Sequence, residues 1–182
     1  MGNFLRLVHI VGRALLGPRR QLLRESVITL RVWPNDLDTN LHMNNGRYLS
    51  LMDLGRVDLM LEGGVAVWLR RGWQPVVAAS FCRHFKPLNL FQAYEIRTRV
   101  LGWDDKWIYF EHRFTRRGVL HALGAVKGLV VDGARTVPTP ELIAALGHEP
   151  VPSPALPGWV REWLRSERSA IDQLKAEAAG RP

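Results

Sequence analysis

The chain has 182 residues, 47% of them hydrophobic and 23% charged, which suits one soluble domain with short appendages and excludes both a disordered chain and two large cores. Lys+Arg number 25 against 17 Asp+Glu, a formal charge of +8, and that excess favours an anionic partner: a nucleotide-bearing ligand, nucleic acid or an anionic membrane. No uncharged apolar run reaches the roughly 18 residues of a membrane span. The single cysteine, Cys82, excludes a disulfide framework and a cysteine-rich metal site, so no metal is expected and a reducing, cytoplasmic setting fits best.

Residues 1–24 read as a basic amphipathic segment. Phe4, Val8, Val11 and Leu15 share one helical face, and Arg6, His9 and Arg13 another. Gly17-Pro18 ends the helix, and Arg19, Arg20 and Arg24 follow. Two readings stand: a helix packed on the domain's own surface, or an interfacial helix making peripheral membrane contact through residues 4–16.

Ser26 to Trp33 alternates like a strand, and a polar, turn-rich stretch follows through Asn45. From Gly46 to Glu62 the apolar residues cover most of a helix's circumference, so this helix should be wrapped by other structure. Gly63-Gly64 reads as its stop, with a second short helix over Val65 to Arg71 ended by Gly72. Strands follow at Pro75 to Lys86, Tyr94 to Val100, Lys106 to Arg116 and Val119 to Val131, the last apolar on both faces and containing Gly124 and Gly128. Gly102 to Asp105 reads as a hairpin turn. Thr139 to Leu146 is a two-turn helix, Pro150, Pro152, Pro154 and Pro157 form a linker, and Trp159 to Ala178 is an amphipathic helix anchored by Trp159, Trp163 and Leu174.

Successive hairpin-like strands make an antiparallel sheet, and one apolar helix is enclosed only if that sheet curls round it. The fold class expected is therefore α+β, a hot-dog fold with a curved antiparallel sheet wrapped around a long central helix. The domain occupies residues 25–148, and residues 149–182 form a proline-rich linker and C-terminal helix.

The densest polar cluster, Asp36-Leu-Asp38-Thr-Asn40-Leu-His42-Met-Asn44-Asn45-Gly46-Arg-Tyr48, lies between a strand and the start of the buried helix. A helix N-terminus offers unpaired N–H groups that can polarise a carbonyl. A carboxylate there can activate water or attack as a nucleophile, and an imidazole can move a proton. The same residue types are also ordinary N-caps and loop formers, so on composition alone both readings stay open.

Asp-Leu-Asp-x-Asn-x-His-Met-Asn-Asn-x-x-Tyr-Leu resembles the signature of the hot-dog thioesterase superfamily, both the 4-hydroxybenzoyl-CoA thioesterase type and the plant acyl-ACP thioesterases. The likeness extends over Val77 to His84, Glu95 to Asp105 and Leu156 to Trp163, and is nearest to the superfamily's member-six type of animal proteins. The resemblance implies acyl-thioester hydrolysis with no cofactor, coenzyme A or acyl carrier protein arriving as part of the substrate. It implies a homodimer, or a dimer of dimers, whose sheets join edge to edge. Asp38 matches the catalytic carboxylate of the 4-hydroxybenzoyl-CoA type, and Asp38, Asn40 and His42 match polar catalytic positions of the plant enzymes. Asn44, Asn45, Gly46, Tyr48 and Asp53 are expected to bind substrate. The rival expectation is a non-catalytic acyl-CoA or lipid-binding protein at a membrane surface.

Asp53 and Arg56 stand one helical turn apart, as catalytic support or as a structural ion pair. Cys82 has no nucleophile motif and reads as a small core residue. Arg97, Arg99, Arg113, Arg116 and Arg117 fall on outward or turn positions of adjacent strands, where they could meet the phosphates of coenzyme A or simply face solvent. Nucleic acid is not expected as a partner, because the basic residues lack the interleaved aromatic motif of the known modules.

Overall fold

The computed structural model of the chain describes residues 3–16 and 23–180. The elements in chain order are α1 (Asn3–Leu16), β1 (Ser26–Arg31), a 3-10 turn (Pro34–Asp36), α2 (Asn45–Arg71), β2 (Gln74–His84), β3 (Ala93–Trp103), β4 (Ile108–Arg116), β5 (Val119–Asp132), β6 (Arg135–Val137), α3 (Thr139–Ala145) and α4 (Gly158–Ala179). One antiparallel sheet runs β1-β3-β4-β5-β2, with β6 also paired to β5. Register breaks at Val77/Ala79, Val100/Gly102 and Phe114/Thr115 curve the sheet around α2. This is the α+β hot-dog arrangement the sequence predicts.

The central helix is buried for the reason its sequence suggests. Tyr48, Leu51, Met52 and Leu54 meet Ile28, Ile96, Phe114 and Val126 in the main core. Two glycines set the spacing. A side chain at Gly55 would collide with the hydroxyl of Thr98, and one at Gly124 with the end of Met52, so each glycine lets α2 rest directly on the sheet. At Gly64 the backbone leaves helical geometry, φ 139 and ψ 85, so α2 is two helical segments that meet at a kink where the sequence reads a stop and a second short helix. Gly72, left-handed at φ 64, closes the helix, its N–H bonded to the Trp68 carbonyl.

α1 departs at Val8 from the face read from its periodicity; Val11 is half-buried, and Phe4 and Leu15 lie outside the residues whose side chains are described. Ile10 and Arg6 are buried in the domain, whereas Val8 is 52% exposed. The helix has rolled so that Arg6 points inward, because the buried carboxylate of Asp36 lies there to receive it. His9, Arg13 and the Arg19-Arg20 pair lie outside the residues whose side chains are described. No described helix is long and apolar enough to cross a membrane.

α4 lies on the outer face of the sheet. Val160 is fully buried with Leu101 and Tyr109, Phe81 meets Trp159 and Trp163 at 6.1 and 6.3 Å between centroids, and Lys127 bridges Glu167 at 3.0 Å and the Trp107 ring at 4.6 Å. Leu174, expected as a third anchor, is 63% exposed. The helix outruns the surface it packs on, and residues 168–180 are all solvent-facing.

Candidate active site

The loop between the 3-10 turn and α2 is folded by its own polar groups. Asp38 N–H donates to the His42 carbonyl at 3.0 Å, and Leu41 N–H donates to the Asp38 carbonyl at 3.1 Å. The Asp38 carboxylate accepts the Asn40 N–H at 2.8 Å. Leu41 takes a left-handed φ of 61 to close this turn. Asn44 N–H donates to the Asp36 carbonyl at 2.9 Å, pinning the loop at both ends, and Met43 N–H donates to the Leu88 carbonyl at 2.8 Å.

Asp36 is the loop's foundation. Its fully buried carboxylate accepts both guanidinium nitrogens of Arg6 at 3.0 and 2.5 Å, two from Arg47 at 3.0 and 2.8 Å, and the Trp33 N–H at 2.9 Å. Burial opposes its ionisation, but the hydrogen bonds from Arg6, Trp33 and Arg47 outweigh that and hold its pKa below the usual carboxylate value.

Above this base, Asp38 and His42 come together: Nδ1 of His42 lies 3.6 Å from Oδ1 of Asp38, with the two side chains 39% and 21% exposed. Asn40 contributes its main chain to Asp38, and its own side chain is exposed. Asn44 is the N-cap of α2, its Oδ1 accepting the Gly46 N–H at 2.8 Å. Among the described residues the Asn45 N–H has no acceptor. Tyr48 turns inward instead. It is 2% exposed, lies edge-on to His84 and Phe114 at 4.7 and 4.9 Å, and has its phenol pKa pushed up to about 12 by burial, with Cys82 adding to the effect.

Asp53 stands elsewhere. It lies seven residues beyond Gly46, roughly 10 Å along the helix axis, at a cavity of about 320 Å³. The cavity lies between α2, the β2–β5–β4 part of the sheet and α3, with Met60, Trp68, Val76, Val77, Phe110 and Leu142 among its walls. Asp53 and Arg56 are the charged pair on a mostly apolar lining that also includes Thr139 and His148. They are ion-paired, with the Asp53 side chain 62% exposed and Arg56 10%.

Behind Arg56 is a buried polar pair the sequence reading missed. Nε2 of His112 lies 3.4 Å from Arg56 Nη1, and Nδ1 lies 2.9 Å from the Thr98 hydroxyl. Desolvation first, and the Arg56 charge second, push His112 well below the usual histidine pKa, so it is neutral. A guanidinium only donates, so Nε2 is the acceptor and Nδ1–H faces Thr98. A histidine on an apolar strand facing a helical arginine was the one available signal.

The outward arginines divide into two groups. Arg97 pairs with Glu25 and Glu95, and Arg99 and Arg113 both pair with Glu111 at 2.8 Å. For Arg116 and Arg117 no ion pair is formed among the described residues. Cys82 Sγ lies 3.4 Å from His84 Nε2, yet burial raises the thiol to about 11 and depresses His84, so no thiolate–imidazolium pair forms.

Comparison with known proteins agrees with this architecture. Residues 32–164 match the thioesterase-like superfamily, a span that includes the loop, the central helix and strands β2–β6. The chain belongs to that superfamily. It is 31% identical over 179 residues to Protein THEM6 of Xenopus laevis, covering 96% of this chain and 84% of that protein. It is 33% identical over 108 residues to a probable thioesterase of Saccharomyces cerevisiae, covering 57% of this chain and 47% of the yeast protein. A Thermus thermophilus thioesterase solved with coenzyme A and zinc superposes with a TM-score of 0.58 at 29% identity, over 65% of this chain and 93% of that one.

Proposed function

We propose that this chain hydrolyses acyl thioesters, with Asp38 as the general base or nucleophile toward the thioester carbonyl. The observation that carries the reading is the Asp38–His42 pair, 3.6 Å apart and open to solvent at the N-terminal end of the central helix. A carboxylate so placed takes the proton of an attacking water and returns it to the thiolate as the C–S bond breaks, or adds to the carbonyl itself, expelling the thiolate and leaving an acyl anhydride that water then opens to the free acid and the restored carboxylate, the water's proton going to the thiolate. The Asn45 N–H, with that of Gly46 once released from its cap, faces the developing oxyanion. His42 and the Asn40 main chain orient the carboxylate. Coenzyme A or acyl carrier protein arrives as part of the substrate.

The apolar cavity beside Asp53 suits the acyl chain, and its position supports a homodimer. Val76 and Val77 of β2 belong to its wall, are 42% and 48% exposed, and lie on a strand paired on one side only, to β5. An eleven-residue edge with apolar side chains is a surface for another strand. A second copy paired there would carry the cavity wall across the junction.

The test is thiol release from short-, medium- and long-chain acyl-CoAs by wild type beside Asp38→Ala. Turnover lost on that substitution, about 10²–10⁴-fold for a positioned acid–base group, is the expected result. Equal rates remove Asp38 from the role. No release above the blank with any chain length, while acyl-CoA still binds, leaves the non-catalytic reading.

A further inference from the structure

Among the described residues, three other than glycine have a left-handed backbone, Leu41, Phe91 and Arg117, at φ 61, 59 and 50. Leu41 belongs to the loop of Asp38. The other two line a single open groove at the end of the sheet, together with Arg31 and Arg116. Such conformations cost free energy outside glycine and gather where a side chain must be aimed at a ligand. Arg117 and Gly118, at φ 50 and 75, form the two-residue turn of the β4–β5 hairpin, whose first position ordinarily takes Asn or Asp. Here it presents a guanidinium.

The groove concentrates cation without counter-charge. Among the described residues no carboxylate pairs with Arg31, Arg116 or Arg117. Glu95, also at the groove, is taken up by Arg97 at 2.8 Å. Phe91 is 51% exposed, braced by Trp33 edge-on at 5.9 Å and by Arg31 Nη1 donating to its carbonyl at 2.6 Å. The groove also adjoins the candidate active site. Leu90, Phe91 and Gln92 belong to its wall, and the two residues just before them in the chain hold the loop: Asn89 bridges His42 and the Leu88 carbonyl accepts the Met43 N–H.

We propose that this groove is a subsite for the nucleotide end of the thioester substrate, its arginines holding phosphate oxygens and Phe91 stacking on the purine. The inference rests on the acyl-thioester reading of the neighbouring loop. Guanidinium groups match phosphate in two-pronged hydrogen bonds, and an exposed aromatic face accepts any base. A substrate held there by its phosphates would have its thioester end free to reach Asp38.

The probe is an Arg116→Gln/Arg117→Asn double variant. Asparagine tolerates the left-handed turn, so the hairpin is kept. Equilibrium binding of coenzyme A, of adenosine 3′,5′-bisphosphate and of pantetheine is measured for both proteins, with KM for an acyl-CoA and for the matching acyl-pantetheine. The variant should bind the first two about tenfold more weakly or worse, as expected for lost charged hydrogen bonds. Its KM ratio, acyl-CoA over acyl-pantetheine, should rise by the same factor. Wild type that binds coenzyme A about tenfold better than the variant but releases no thiol keeps the subsite and overturns the hydrolase reading alone. Equal affinity of the two proteins for both nucleotides overturns the subsite. So does a defect seen only with an acyl carrier protein, which would assign the arginines to an acidic protein surface.

Discussion

Arg6 of α1 and Asp36 of the loop before α2 form a buried ion pair at 2.5 Å across 30 residues of chain, their side chains 3% and 0% exposed. Arg6 also donates to the Arg31 carbonyl at 3.0 Å, so one side chain ties α1, β1 and the loop together. Removing one member of a buried pair typically costs about 3–5 kcal/mol, and because Arg47 and the Trp33 N–H still hold Asp36 without Arg6, the lower end of that range applies. Arg6→Met should destabilise by that order, read as a lower urea midpoint with an unchanged m value. A full loss of thiol release on deleting residues 1–16 is expected for the same reason.

The pair also sets an acid limb. The folded pKa of Asp36 lies below its unfolded value, so its contribution is complete above about pH 4, where the unfolded carboxylate is ionised, and is lost as pH falls toward the folded pKa. Urea midpoints between pH 5 and 3 should fall steeply for wild type and less steeply for Arg6→Met.

His112 acts in a higher window. It is neutral when folded and titrates near pH 6.5 when unfolded. The unfolded state therefore binds more protons below about pH 6.5, and stability should decline as pH drops from 7.5 to 5.5. His112→Gln keeps an acceptor for Arg56 and should flatten that decline. An unchanged pH dependence would show that folding does not shift the His112 pKa.

Gly55 and Gly12 make a matched test of close approach. A methyl group at Gly55 would collide with Thr98 beside His112, whereas nothing lies within 4 Å of one at Gly12. Gly55→Ala should destabilise by about 1–3 kcal/mol through overpacking. Gly12→Ala, inside α1, should stabilise by roughly 0.5–1 kcal/mol. Thermal unfolding of the two variants separates them.

Cys82 is predicted to be inert. With its thiol raised to about 11, alkylation by iodoacetamide at pH 7.5 should be far slower than that of free cysteine, and Cys82→Ala should leave thiol release as it is.

Much of the fold was readable from periodicity. The wrapped helix, its break at Gly63-Gly64 and the four strands after it follow from patterns of 3.6 and 2, because those patterns record which face meets the core. Two features escaped because they depend on partners distant in sequence. The roll of α1 is decided by Asp36, not by the helix's own apolar stripe. The bulge at Val100/Gly102 lets β3 continue to Trp103 where Gly102 reads as the start of a turn. In the site, the motif placed Asp38 beside His42. It could not show that Tyr48 faces the core, or that the acyl-sized cavity begins about seven residues further along α2, since both depend on how the sheet closes.

The bend at Gly64 has a consequence for the shape of the cavity. Met60 and Trp68 reach the same cavity from opposite sides of that bend. The width of the cavity is therefore governed by a main-chain angle as much as by side-chain bulk. Only glycine holds φ 139 cheaply, so the shape of the cavity is tied to one position where almost no other residue can vary it gradually.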